Sequence, residues 1–219
     1  MGDGIEPGAF DRNKIRITVH PQQVDVWYWL IPFSDGRSSI GVVGRSEVLD
    51  AAGEDPEARL RAFVSQESSL ARLLRHATWD TPVRQISSYA TDVAALHGPG
   101  FALLGNAGEF LDPVFSSGVT IAFTSSSLAA SCVDRQLSGH AVDWEREFAI
   151  PLRRGIDTFR CFVEAWYEGT FQRIIFHPHP NAEIRRMICA VLAGYAWDER
   201  NPFVQAPARR LAALAELCA

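Results

Sequence analysis

The sequence holds one lysine, Lys14, two methionines and four cysteines in 219 residues. Cys132, Cys161, Cys189 and Cys218 stand far apart, with no Cys-x-x-Cys and no pair of histidines at ligand spacing. That spacing excludes a zinc site or a disulfide framework and describes the reduced thiols of a cytoplasmic protein, so no metal is expected. No apolar run reaches the roughly 18–20 residues a membrane span requires. The first residues lack the charged, apolar and small-residue succession of a secretory leader. Arginines are scattered and the formal charge is -5, so the stripe of cations that a nucleic-acid surface needs is missing. Also missing is any Gly-x-Gly-x-x-Gly, the turn that brings backbone up to a dinucleotide pyrophosphate at a helix N-terminus.

What is present is material for a core. Apolar residues make up 47% of the chain and charged residues 21%, the balance of a globular protein long enough for one large or two small domains. Two regimes of composition meet near residue 116. Before it, residues 15–19, 24–32 and 39–44 are β-branched and aromatic runs, and the turn Ser34-Asp35-Gly36-Arg37 joins the last two as a hairpin. Residues 56–76 read as one helix, with Asp55 as N-cap and Pro56 at its first position. Residues 83–90 read as a strand and residues 101–104 as a short buried one. After residue 116 the signals are helical over residues 119–137, 144–171, 182–197 and 208–218. Breaks fall at Gly169 and at His177-Pro178-His179-Pro180, because proline lacks the N–H a helix needs. The resulting division is a flexible segment over 1–13, a β-rich part over 14–100, a strand–loop–helix over 101–138 and a helical region over 139–219.

Residues 101–118 read Phe-Ala-Leu-Leu-Gly-Asn-Ala-Gly-Glu-Phe-Leu-Asp-Pro-Val-Phe-Ser-Ser-Gly. An apolar strand ends at Gly105, a turn follows, and Pro113, Ser116, Ser117 and Gly118 lead into a long helix. Either serine is able to cap that helix, and Gly118 lets backbone come close to a ligand. N–H groups at such an end, with the positive pole of the helix dipole, favour a negative group. A plain strand–turn–helix connection has the same spacing, and the spacing leaves both readings open. Glu109 reads first as a solvated turn carboxylate and second as a group touching ligand or substrate, and Asp112 as either a cap or a group facing the site. His177 and His179, interleaved with prolines, mark a rigid turn rather than a ligand pair. Phe159, Phe162, Trp166, Tyr167 and Phe171 fall at helical spacing and read as core.

Trp27-Tyr28-Trp29-Leu30-Ile31-Pro32 spells Trp-x-Trp-x-Ile-Pro. A period of two puts Trp27 and Trp29 on one face of a strand and Tyr28 on the other. With this motif ahead of the 105–118 loop, the sequence resembles, over about residues 14–205, the flavin-dependent halogenases. Gly105-Asn106-Ala107-Gly108 followed by Phe110-Leu111-Asp112-Pro113 resembles the second FAD-binding motif of the glutathione-reductase-type flavoproteins. In that motif an acidic residue meets the ribityl chain. Here the position holds Asn106, which donates and accepts hydrogen bonds but carries no charge. Phe110, Pro113, Ser116 and Gly118 are similar to a run that flanks flavin and halide in the family.

The resemblance implies an α+β chain that forms part of an α/β flavoprotein fold: an antiparallel substrate sheet, a flavin-facing strand–loop–helix and a C-terminal helical region. It implies FAD, reduced by a separate flavin reductase, and a halide ion. Gly105, Asn106, Asp112, Pro113, Ser117 and Gly118 would face the flavin, and Ser116, Ser117 and Gly118 the halide. Trp27, Trp29 and Phe115 would wall the substrate pocket. The family's pyrophosphate-binding turn and its catalytic lysine belong to an N-terminal half absent from this sequence, and Lys14 does not take that lysine's place. The implied partners are that half, the reductase and an acyl carrier protein. Relatives acting on free tryptophan carry a glutamate where Phe115 stands, so the resemblance points to phenol, pyrrole or carrier-bound substrates. Two other readings stay open: a non-halogenating flavin monooxygenase or reductase, and a binding module that kept the fold without its chemistry.

Overall fold

In the computed structural model, residues 1–218 are described; Ala219, the last residue of the expected helical region, lies outside them. The chain divides into two units, Met1–Ser87 and Ser88–Ala219. Together they make a mixed fold of helices and small antiparallel sheets.

In the first unit, β1 (Arg16–Val19), β2 (Trp27–Pro32) and β3 (Ser38–Val43) form an antiparallel sheet in that order. The expected hairpin is there: Trp27 pairs with Val43 and Trp29 with Gly41. Its turn places Gly36 at φ +81°, and Asp35 Oδ1 accepts the Arg37 N–H at 3.0 Å. Tyr28 and Leu30 face a core shared with Leu60, Phe63, Val64 and Leu70. The Tyr28 hydroxyl donates to the Phe63 carbonyl at 3.0 Å, so its polar tip is satisfied inside that core.

After the short α1 (Ser46–Asp50), α2 (Pro56–Gln66) starts as expected, with the Asp55 carboxylate accepting the N–H groups of Glu57 and Ala58. The single helix expected to residue 76 breaks at Glu67. Its backbone is extended (φ -100°, ψ 103°), and its carboxylate accepts the N–H groups of Ser69 and Leu70 to begin α3 (Ser68–Leu73). A side chain that caps a new helix removes its own residue from the old one. The strand expected over residues 83–90 is irregular chain instead, and Ser88 lies at φ 55°, a left-handed angle that ends any extended run. Nor are the first residues loose. Gly2 bridges to Arg37 and Thr78, and the buried Asp3 carboxylate accepts from Ser38 Oγ at 2.5 Å and Arg12 Nη1 at 2.6 Å.

The second unit opens with a small hairpin, β4 (His97–Gly98) and β5 (Phe101–Ala102). The strand expected to be buried at residues 101–104 is short, and Phe101 stays 50% exposed. Two tight turns follow, then α4 (Gly118–Leu137), α5 (Ile150–Tyr167), α6 (Thr170–Ile175), α7 (Ala182–Leu192), α8 (Pro202–Gln205) and α9 (Pro207–Leu217). Gly169 at φ 76° separates α5 from α6, as the sequence suggested. The core here is aromatic: Phe148, Phe159, Phe162, Trp166 and Phe171 are all buried. Phe162 meets Phe171 edge-on at 5.3 Å, a favoured ring geometry. Among the described residues, no helix is long and apolar enough to cross a membrane.

Candidate functional site

The loop ahead of α4 is assembled from two tight turns. The first, Gly105–Ala107, begins at Gly105 with φ 51°. The Gly105 N–H donates to Ser125 Oγ of α4 at 2.9 Å. A Cβ on Gly105 would press on the Ala122 side chain at 3.1 Å. Glycine is required there twice over, by the left-handed backbone and by the closeness of α4. Asn106 follows, exposed at the tip.

The second turn, Pro113–Phe115, is capped by Asp112, whose Oδ1 accepts the Val114 N–H at 2.9 Å. It ends on Ser116 at φ 54°, ψ 31°. A side-chain-bearing residue in the left-handed region is uncommon and carries strain. The chain bend is therefore completed before the helix begins, and Ser117 enters α4 with helical angles (φ -70°, ψ -18°) and no side-chain cap bond. Serine capping needs an extended residue whose hydroxyl can turn back on the first N–H groups. The cap expected from Ser116 or Ser117 is thus absent, and the first-turn N–H groups of α4 are taken by no capping side chain. Gly118 is uncrowded: a Cβ there would meet only Asn106 Oδ1, at 3.6 Å.

Two carboxylates fix this loop to α5. Glu109, expected to be solvated, is only 7% exposed, and its Oε1 accepts from Arg160 Nη2 at 2.8 Å. Burial pushes its carboxyl up, while the Arg160 charge and hydrogen bond pull it back. Asp112 Oδ2 accepts from the Tyr167 hydroxyl at 2.7 Å, and Tyr89 also hydrogen-bonds the carboxylate. Burial raises Asp112, and bonds from Tyr167, Val114 and Tyr89 oppose the rise. Burial, then the Asp112 charge and the hydrogen bond to it, push the Tyr89 phenol up to about 12. Phe110 adds an edge-on contact to Tyr89 at 5.7 Å and exchanges both backbone bonds with Thr91 at 2.9 Å.

Of these partners, Tyr167 is at a spacing that suggests core alone, and Arg160 and Tyr89 lie outside the residues singled out from the sequence. One signal was available: Arg160 and Tyr167 lie seven residues apart, two turns along one helix face, with polar tips at both positions.

Asp112→Asn tests this wiring. Removing the charge should lower the Tyr89 phenol below its present value of about 12, read by spectrophotometric tyrosine titration. The sign for stability follows from the raised Asp112 carboxyl. Its protonated form favours the fold, so its contribution is full below the ordinary carboxylate range and is lost as pH rises through the raised value. The melting difference should therefore shift in favour of the wild type on acidification. An unmoved phenol would detach Tyr89 from Asp112.

The remaining candidates are placed as follows. Trp27 is buried and Trp29 half-buried on the sheet of the first unit, their rings 6.1 Å apart. Trp29 Nε1 donates to Ser39 Oγ at 3.1 Å. Its ring lies so close over Gly41 that a Cβ would fall 2.0 Å from it. Phe115 packs edge-on against Trp166 at 5.9 Å and Phe171 at 5.6 Å, which joins it to the helical core. His177 Nδ1 accepts the His179 N–H at 3.2 Å, a turn contact. Among the described residues, no cluster of three or more His, Cys, Asp or Glu could hold a metal ion.

No family model matches the chain. A flavin-dependent halogenase of Penicillium aethiopicum is 30% identical over 73% of this chain and 31% of its own length. A 1H-pyrrole-2-carbonyl peptidyl-carrier-protein chlorinase of Pseudomonas fluorescens is 25% identical over 72% of this chain and 38% of that protein. A solved flavoprotein/dehydrogenase of Cytophaga hutchinsonii superposes with a TM-score of 0.89 at 42% identity, over 94% of this chain and 50% of its own. The chain thus spans about a third of those curated relatives and half of that solved chain.

Proposed function

This chain belongs to the flavin-dependent halogenase family, and from that membership we propose that it is the substrate-side portion of an FAD-dependent halogenase working with a nucleotide-binding half. The proposed substrate is an electron-rich aromatic; the pyrrole relative supports a carrier-bound acyl form. The observation that carries this reading is the start of α4, where the first turn has no capping side chain and a Cβ on Gly118 would meet only Asn106 Oδ1, at 3.6 Å. Such an end holds a negative group with backbone N–H donors and the helix dipole. Ser116, Ser117 and Gly118 are proposed at the halide. Gly105, Asn106, Pro113, Ser117 and Gly118 are proposed at the flavin, with Asp112, expected there too, holding their loop from behind.

The residues present fit these groups. FAD, delivered in reduced form by a separate reductase, would supply the oxygen chemistry that oxidises a halide. Around it, the exposed Asn106 amide can both donate and accept toward the ribityl hydroxyls, although without the charge of the usual carboxylate. Asp112 turns inward to Tyr167, so it serves by holding the loop rather than by reaching outward. Phe115, backed by Trp166 and Phe171, is proposed as an apolar wall that excludes water. Trp27 and Trp29 are proposed as an apolar face of the first unit's own sheet. The catalytic amine is assigned to the nucleotide-binding half.

Exposed apolar surface supports a missing partner. Val119, Phe123 and Leu137 of α4 are 66%, 74% and 83% exposed, and Phe101 of β5 is 50% exposed. A run of large apolar side chains along one helix marks an interaction surface. We read the protein as cytoplasmic, from its unpaired thiols.

The test is flavin retention. The chain alone should leave gel filtration without stoichiometric FAD, and addition of the nucleotide-binding half should restore a yellow complex. Stoichiometric flavin on the chain by itself would contradict the proposal. A second reading, a non-halogenating flavin enzyme, is favoured by the flavoprotein/dehydrogenase neighbour. Halide dependence of the product separates the two.

A further inference from the structure

A concave pocket of about 250 Å³ opens in the first unit among the N-terminal segment, β1 and α3. Arg16, Arg72, Arg75, His76, Ser69 and Glu6 are among its walls. Their charges do not balance. Arg75 pairs with Glu6, and its Nε donates to His76 Nε2 at 2.9 Å. Arg16, half-buried, is held by hydroxyls: its Nε donates to Thr18 Oγ1 at 3.3 Å, and its Nη2 donates to Ser69 Oγ. The Ser69 hydroxyl in turn donates to Glu67 Oε2 at 2.7 Å. Glu67 therefore meets Arg16 through that hydroxyl and by longer-range attraction, not as an ion pair. The exposed Arg72 guanidinium, on α3, has no hydrogen-bond or ion-pair partner among the described residues.

Three guanidiniums and a histidine thus share one concavity with a single lining carboxylate, in a chain of formal charge -5. An arginine oriented by hydroxyls rather than by a carboxylate is fixed in direction while its charge stays available. A guanidinium fork matches two oxygens of a phosphate, and several forks around one hollow suit a group with several acceptor oxygens better than a halide.

We propose that this pocket binds a phosphate group, either as the free anion or as the ester of a small molecule such as 4′-phosphopantetheine. The ester form rests on the carrier-bound reading above; the anion site does not. The experiment is calorimetric titration of the full chain at constant ionic strength with inorganic phosphate, 4′-phosphopantetheine and unphosphorylated pantetheine. Saturable binding of phosphate-bearing ligands, with none for pantetheine, is expected. Similar affinity for the two phosphates identifies a free-anion site, and tighter binding of 4′-phosphopantetheine identifies the ester.

Arg72→Gln changes an exposed, unpaired side chain, so folding is not at stake, and it should weaken binding by about 10-fold, as loss of one charge-assisted contact does. Arg16→Ala should weaken it further, with a melting curve to confirm the fold. Absence of saturable phosphate binding, or binding unchanged in both variants, overturns the proposal. That result would leave the flavin reading intact, just as a failed flavin test would leave this pocket intact.

Discussion

Gly118→Val, tested in the proposed enzyme reconstituted with the proposed nucleotide-binding half, is expected to keep the fold and lose halide-dependent turnover by a factor on the order of 100–1000. The size is that of losing one anion-stabilising contact at a reacting centre, here by obstruction rather than by removal of a donor. The structure supplies both halves of this expectation. A Cβ on Gly118 meets nothing nearer than Asn106 Oδ1 at 3.6 Å, so the helix should accept valine at a stability change of roughly 0–1 kcal/mol. The branched side chain would crowd the approach to N–H groups that no side chain caps. Ser117→Ala should be milder, because the buried Ser117 hydroxyl makes no cap bond and the backbone would carry the proposed anion's contacts. Turnover against bromide concentration, alongside thermal melting, reads both variants. Normal turnover in a folded Gly118→Val protein would leave this loop as an ordinary helix start.

Trp27→Ala should produce the largest loss of stability. Its indole is 1% exposed on β2, and truncating a buried tryptophan costs about 3–5 kcal/mol through lost transfer energy and the cavity left behind. Trp29→Ala should cost less. That ring is half-buried, and its removal uncovers the flat surface of Gly41 rather than opening a closed hole. Urea unfolding of the two variants would show the difference. Equal, small losses would place both indoles outside the packed interior and strengthen a direct role in lining a substrate site.

That contrast was only half legible in the sequence. Alternation put Trp27 and Trp29 on one face and Tyr28 on the other, and Tyr28 does point into the α2–α3 core. Alternation carries no measure of how deeply each indole is covered. Local chemistry was read well where it is decided within a few residues: the Asp55 cap, the Asp35-Gly36 turn and the Gly169 break. It failed where one side chain chose between two local roles. Glu67 could have continued a helix and instead caps the next one, and Ser116 takes the bend that frees Ser117 from capping. The wiring of the loop lay beyond local reading. Glu109 and Arg160 are 51 residues apart, and Asp112 and Tyr167 are 55 apart. The spacing of Arg160 and Tyr167 hints at a polar stripe on α5, but neither segment alone names its partner, because both pairs form only when α5 packs beside the loop.

The proposed place of this chain in a halogenase is decided by what product it helps to make. The chain, the nucleotide-binding half, FAD, a flavin reductase and an electron-rich aromatic acid on a carrier protein would be combined with and without bromide. The product would then be weighed by mass spectrometry. A brominated product that requires both halves and bromide is the expected outcome. A hydroxylated product, or one that forms equally well without bromide, would place this chain in a non-halogenating flavoenzyme instead.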